Sequence, residues 1–209
     1  MFFEKSIVYK ISVTDNILKQ FSDIPSGENG KKIHPRKFVM WVAIGSMLML
    51  FAGLTSAYIV KSNQASWEEV VMPKIFWFST IVMLVSSLIV QMALRSFKQR
   101  EMKQYRLLIG LAFVLGISFL LLQWIGFTQL WNQGVTFTGS GEGQFLYVIF
   151  GLHGMHVLGG VIALMVMFMQ TFFGKIKYYS SVPVEIAATY WHFVDVLWIY
   201  LFVFFMWLG

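Results

Sequence analysis

Long apolar runs broken by short polar stretches organise this chain. Five runs are long enough to cross a bilayer, which takes about 20 apolar residues for roughly 30 Å of hydrocarbon. They are Phe38 to Val60, Ile75 to Leu94, Leu107 to Leu130, Phe145 to Phe173 and Val184 to Leu208. The first and third carry no charged residue, and the second follows Pro73, a residue suited to a helix start. Periodicity alone does not separate such runs from buried helices of a soluble protein; their length and lack of charge do. The expected fold class is all-α: a polytopic membrane protein built as a five-transmembrane-helix bundle.

The segments between the runs differ in charge. Lys31, Lys32, Arg36 and Lys37 precede the first run. Arg95, Lys98, Arg100, Lys103 and Arg106 separate the second from the third, and Lys175 and Lys177 the fourth from the fifth. On the opposite side, residues 61–74 carry only Lys61 and Lys74 as bases, and "WNQGVTFTGSGEGQ" (131–144) carries none. Basic loops stay in the cytoplasm. The N-terminus is therefore expected inside and the C-terminus outside, consistent with an odd number of crossings. Residues 1–37 contain Pro25, Gly27 and Gly30. They are too few for a core of their own and read as a cytoplasmic N-terminal tail before a membrane domain of residues 38–209. The first residues lack the basic-then-apolar pattern with a small-residue cleavage site, so no signal peptide is expected. No internal repeat is visible, against a transporter of duplicated halves.

Composition sharpens this. The chain is 57% hydrophobic and 12% charged, against about 25% charged residues in a soluble domain. The net charge of +6 reflects the basic loops, and no nucleic-acid partner is expected. The absence of cysteine excludes disulfides, thiolate nucleophiles and Cys-ligated metals. No phosphate-binding glycine loop, nucleophile elbow or zincin motif occurs.

The polar groups inside the runs carry what chemistry there is. "YWHFVDVLWIYLF" (190–202) places His192 and Asp195 three residues apart among large apolar side chains. At 1.5 Å of rise per residue, Asp195 lies roughly 16 Å into the fifth run and His156 about as deep in the antiparallel fourth. An ionised Asp at a helix centre costs about 2.5–3.5 kcal/mol on insertion scales, so a partner is expected. The reading is that His156 and Asp195 belong to one polar cluster between the fourth and fifth helices. Such a cluster either glues the two helices or forms a site for a lipid headgroup or a proton. Glu185 sits near the inner interface, where a carboxylate is cheap. His153 and His156, at i and i+3, share a helix face. With His192 as the only other histidine in the runs and no paired carboxylate, no metal site, no cofactor-binding residue and no catalytic residue is assigned.

Gly151, Gly154, Gly159 and Gly160, with Gly110 and Gly116 in the third run, read as positions of close helix packing. Trp207 suits an interfacial belt. Trp191 and Trp198 lie too deep for one and read as packing residues or cleft walls.

Specific words in the chain resemble subunit III of the haem–copper terminal oxidases, the cytochrome c oxidase family. "YWHFVDVLWIYLF" is similar to its C-terminal signature, and "GLHGMHVLGG" (151–160) to its Gly-His-Gly-x-His-Val segment. "FWFSTIVMLVSSL" (76–88) resembles its Thr/Ser-rich helix, and "GISFLLLQW" (116–124) its Leu-Leu-Gln segment. The resemblance covers about residues 38–208 and implies the last five of the family's seven helices. Two family carboxylates have no counterpart: Met47 stands at one aligned position and Gly126 at the other.

The resemblance implies an accessory subunit of a respiratory complex in the bacterial cytoplasmic (inner) membrane, serving aerobic electron transport that reduces oxygen to water and pumps protons. This chain would hold no cofactor, with haem and copper in partner subunits and phospholipid bound. It would contact subunit I directly, with subunit II and a subunit IV or other respiratory complexes as further partners. It would stabilise subunit I, support proton uptake and guide lipid or oxygen access. His153, His156, Glu185, Trp191, His192 and Asp195 would make lipid or interhelical contacts. Subunit III of a quinol oxidase and an accessory protein of a nitric-oxide reductase are near alternatives. An independent small transporter or proton channel is the alternative of another class.

Overall fold

The computed structural model describes residues 35–62, 72–135, 141–173 and 181–208. The chain divides into a unit Met1–Pro35, of which Pro35 alone is described, and a unit Arg36–Gly209. The tail expected over residues 1–37 thus lies outside the described residues as far as position 34.

Among the described residues there are five helices: α1 (Pro35–Ser62), α2 (Ile75–Lys98), α3 (Met102–Asn132), α4 (Gly141–Phe173) and α5 (Val182–Leu208). All are long and apolar enough to cross a membrane. Four start earlier than the apolar runs, because backbone hydrogen bonding continues where side chains turn polar. The 31 residues of α3 rise about 46 Å at 1.5 Å each, close to the ~40–45 Å of a bilayer with its headgroups. The polar segment expected over residues 131–144 is correspondingly shortened: α3 runs to Asn132, α4 begins at Gly141, and residues 136–140 lie outside the described set.

Two helix ends are closed by the same local chemistry. At the end of α2, Arg100 takes a left-handed backbone (φ 65). Its N–H donates to Phe97 O, and that of Glu101 donates to Ser96 O. At the end of α3, Gly134 (φ 90) does likewise, with bonds from Gly134 to Trp131 O and from Val135 to Leu130 O. Both are Schellman closures, which satisfy the last carbonyls and reverse the chain. Glycine takes this conformation without strain, whereas Arg100 carries a steric cost of about 1 kcal/mol or more. The first closure folds α2 and α3 into an antiparallel hairpin with the most extensive backbone seam in the bundle. Beyond the second, Tyr147 donates to Val135 O at 2.9 Å and pins the start of α4.

Helices α2 to α5 pack backbone to backbone in the pairs α2–α3, α3–α4, α2–α5 and α4–α5. Their shared centre is aromatic: Phe76, Phe119, Phe150, Trp198 and Phe205 are all fully buried. Trp198 alone meets Phe76, Phe119 and Phe150 at ring centroids 5.3–6.0 Å apart. Helix α1 is held differently. Among the described residues, no Cα of α1 lies within 8 Å of another helix's Cα. Side chains bridge the gap. Buried Tyr58 packs edge-on against Phe145 of α4 and Phe204 and Phe205 of α5. Phe51 meets His153 and His156 of α4.

Candidate functional site: the polar seams of α5

Helix α5 forms polar bonds with three of its neighbours. Toward α2, the residues Thr80, Ser87 and Gln91 recur at spacings of seven and four. That spacing lines one helix face. His192 reaches this stripe with both ring nitrogens: Nδ1 lies 2.6 Å from Ser87 Oγ and Nε2 lies 3.1 Å from Gln91 Oε1. An amide oxygen only accepts, so Nε2 carries the hydrogen and Nδ1 accepts from the Ser87 hydroxyl. Two turns further along, the Trp198 indole N–H donates to Thr80 Oγ1 at 3.0 Å. Thr80 in turn donates to Phe76 O at 2.7 Å.

Toward α4, the Tyr190 hydroxyl donates to the carbonyl of His156 at 2.9 Å. Trp191 lies over two glycines, Gly160 of α4 and Gly116 of α3: a Cβ there would come within 2.9 or 3.0 Å of its ring. Toward α1, the Tyr200 hydroxyl lies 2.9 Å from Thr55 Oγ1. At the basic end of the bundle, Glu185 accepts from Lys37 of α1 at 2.6 Å, from Lys98 of α2 at 3.1 Å and from Ser181 at 3.1 Å. Both lysines are substantially exposed, so each pair contributes at most about 1 kcal/mol. Their geometric effect is to bring three helix ends to one carboxylate.

His156 and Asp195 do not meet. They lie on different sides of α5. Tyr190 and Asp195 are five residues apart, about 140° around the helix at 100° per residue, so when Tyr190 faces α4, Asp195 cannot. His156 instead bonds within its own helix, Nδ1 to Leu152 O at 2.7 Å. Asp195 is buried, and neither carboxylate oxygen has a hydrogen-bond partner among the described residues. Ser87 lies within its electrostatic reach, but that hydroxyl is bonded to His192. The first histidine of "GLHGMH", His153, is also fully buried, stacks on Trp198 at 5.3 Å and has no hydrogen bond at either nitrogen among the described residues. Among the described residues, no three metal-ligating side chains cluster.

The glycines divide into groups. A Cβ at Gly110 would meet Phe168 at 3.1 Å, and Gly116 and Gly160 lie under Trp191 as above. At Gly159 it would meet only the Tyr190 hydroxyl at 3.6 Å, and at Gly151 and Gly154 nothing within 4 Å. Gly126, which sequence reasoning weighed only for the carboxylate it lacks, is the tightest: its Cβ would stand 2.7 Å from Phe76 Cζ. Ser87, Gln91, Thr80, Thr55 and Tyr200 were not singled out from the sequence either. For the α2 residues the signal was present in the 80/87/91 spacing. For Thr55 and Tyr200 there was none, because they pair across 145 residues.

Five membrane-length helices, tied by hydrogen bonds from helix to helix at His192, Trp198, Tyr190 and Tyr200, define a polytopic helical membrane protein braced from within. The family described as "Cytochrome c oxidase subunit III" matches residues 37–209. The chain is 28% identical over 166 residues to "Cytochrome c oxidase subunit 3" of Bacillus sp. (strain PS3), covering 78% of this chain and 80% of that one. It is 30% identical over 168 residues to "Probable cytochrome c oxidase subunit 3" of Mycobacterium leprae (strain TN), covering 78% and 82%. It is 29% identical over 171 residues to "Cytochrome bo(3) ubiquinol oxidase subunit 3" of Buchnera aphidicola subsp. Baizongia pistaciae (strain Bp), covering 78% and 87%. The chain belongs to the cytochrome c oxidase subunit III family.

Proposed function

We propose that this chain is the accessory, non-redox subunit III of a haem–copper terminal oxidase in a bacterial cytoplasmic membrane. In this reading it packs against subunit I, stabilises it, and supports proton uptake and the access of lipid and oxygen. Haem and copper sit in partner subunits, and subunit II is a further partner. The observation that carries the proposal is the family match over residues 37–209. The state of His192 supports a bracing role. Both of its ring nitrogens are in hydrogen bonds to α2, which is the arrangement of a helix tie and not of a haem or copper ligand. Charge supports the orientation: Arg95, Lys98 and Arg100 gather where α2 turns into α3, and no base lies where α3 ends. The N-terminus is then cytoplasmic.

The α1–α5 seam supports the binding of phospholipid. Between the two helices lies an apolar groove of about 410 Å³, lined by Leu48, Phe51, Ala52, Phe193, Val196 and Tyr200 among others. Nearer the basic end is a cavity of about 250 Å³ whose wall includes Lys37, Trp41, Glu185 and Thr189. A headgroup at the charged end and an acyl chain along the groove would fill both. A quinol oxidase is a second reading, because a subunit named for a ubiquinol oxidase is as similar as those named for cytochrome c oxidase.

The test is purification of the tagged chain in mild detergent, with an absorption spectrum of the eluate. The expected result is co-elution with haem-bearing partners. A copper-bearing subunit II among them favours cytochrome c over quinol. A chain that elutes without haem, or that transports ions by itself in liposomes, overturns the proposal.

A further inference from the structure

His156 lies near the middle of the 30-residue span Gly143–Phe172 of α4. Its Nδ1 is 2.7 Å from the carbonyl of Leu152. A carbonyl only accepts, so Nδ1 carries the hydrogen and Nε2 presents a lone pair. No donor among the described residues reaches Nε2. The ring is only partly buried, with Phe51 of α1 edge-on beside it at 5.8 Å. An acceptor without a donor in hydrocarbon is costly. Lipid offers only methylene and methyl groups at that depth and so cannot supply the bond. Two local features leave room for something else. The backbone of α1 keeps its distance from α4, and the exposed Gly159, one turn on from His156, meets nothing nearer than the Tyr190 hydroxyl.

We infer that Nε2 of His156 accepts a hydrogen bond from a transmembrane helix of a partner subunit, which presents a hydroxyl, indole or amide donor at the bilayer midplane beside Gly159. This rests on the chain being a subunit of a larger membrane complex, as proposed above. The contact is an intersubunit tie of the same kind that His192 makes internally. It fixes the depth and rotation of the partner helix, because a single acceptor in an otherwise apolar surface is satisfied in one register only.

The test has two arms. In the first, a benzophenone amino acid replaces Met155, which is 69% exposed beside His156. Whole membranes are then irradiated, and the adduct is identified by mass spectrometry. The expected adduct is a transmembrane segment of a different polypeptide bearing Ser, Thr, Tyr, Trp, Asn or Gln. Adducts with lipid alone, or with a second copy of this chain, overturn the inference. The second arm measures retention of the chain in the complex during detergent washing. His156→Gln carries an acceptor to the Nε2 position and is expected to retain the chain. His156→Asn and His156→Leu do not, and should lower retention about threefold, the size of one average intramembrane hydrogen bond. Equal behaviour of Gln and Asn, or no loss with Leu, overturns it. The first arm keeps the native His156, so it stands even where a substitution impairs folding. It is read in whole membranes, so it decides His156 separately from whether haem co-elutes.

Discussion

Ser87 Oγ and His192 Nδ1 lie 2.6 Å apart across the seam of α2 and α5. Gln91 holds the other ring nitrogen, so the imidazole is fixed in both plane and tautomer. Interhelical hydrogen bonds inside bilayers contribute about 0.6 kcal/mol on average and up to about 1.7. A double-mutant cycle of Ser87→Ala and His192→Phe, read by denaturation in mixed micelles, is expected to give a coupling energy in that range. Zero coupling would mean that the contact contributes nothing to the fold.

His156 and Asp195 should behave as strangers. They face different neighbours and share no hydrogen-bond partner. The stability losses of His156→Ala and Asp195→Asn in the isolated chain are expected to add within about 0.3–0.5 kcal/mol. A larger departure would place the two in contact after all.

The glycines offer a contrast within one residue type. Gly126→Ala drives a methyl into Phe76, itself locked among Phe127, Phe150 and Trp198. Overpacking of this kind costs about 1–3 kcal/mol. Gly151→Ala and Gly154→Ala meet open space, and alanine is the better helix former by up to about 1 kcal/mol. Thermal denaturation is expected to show a lower midpoint for the first and an unchanged or higher one for the other two. The reverse order would contradict the packing described.

The chain has no cysteine, so single introduced cysteines report topology cleanly. Gln99→Cys, in the turn from α2 to α3, is expected to resist a membrane-impermeant maleimide in intact cells. Gln133→Cys, at the end of α3, should label. Labelling of Gln99→Cys in sealed cells would reverse the proposed orientation.

Much of this protein is legible in its sequence because a bilayer imposes few options. Backbone groups in hydrocarbon must bond within their own segment, so a long uncharged run has to be a helix. Five runs therefore announced five helices. Trp191 and Trp198 were read as packing residues or cleft walls because they lie too deep for an interfacial belt, and both are fully buried. The azimuth of Asp195 was not legible. Which side of α5 faces α2 and which faces α4 depends on the arrangement of all the helices around it, and no local pattern encodes that.

The sequence by itself determined the secondary structure, the number of membrane-length helices and, through its particular words, the family. Those properties are set by residues close together in the chain and by a solvent that forbids exposed backbone. Only the tertiary structure decided that His192 belongs to Ser87 and Gln91, that Tyr200 ties down Thr55, and that α1 stands off on its side chains. These pairings join residues about 100 to 150 positions apart. They follow from helix rotation and crossing, which sum over every contact in the bundle and are not written in any one stretch of it.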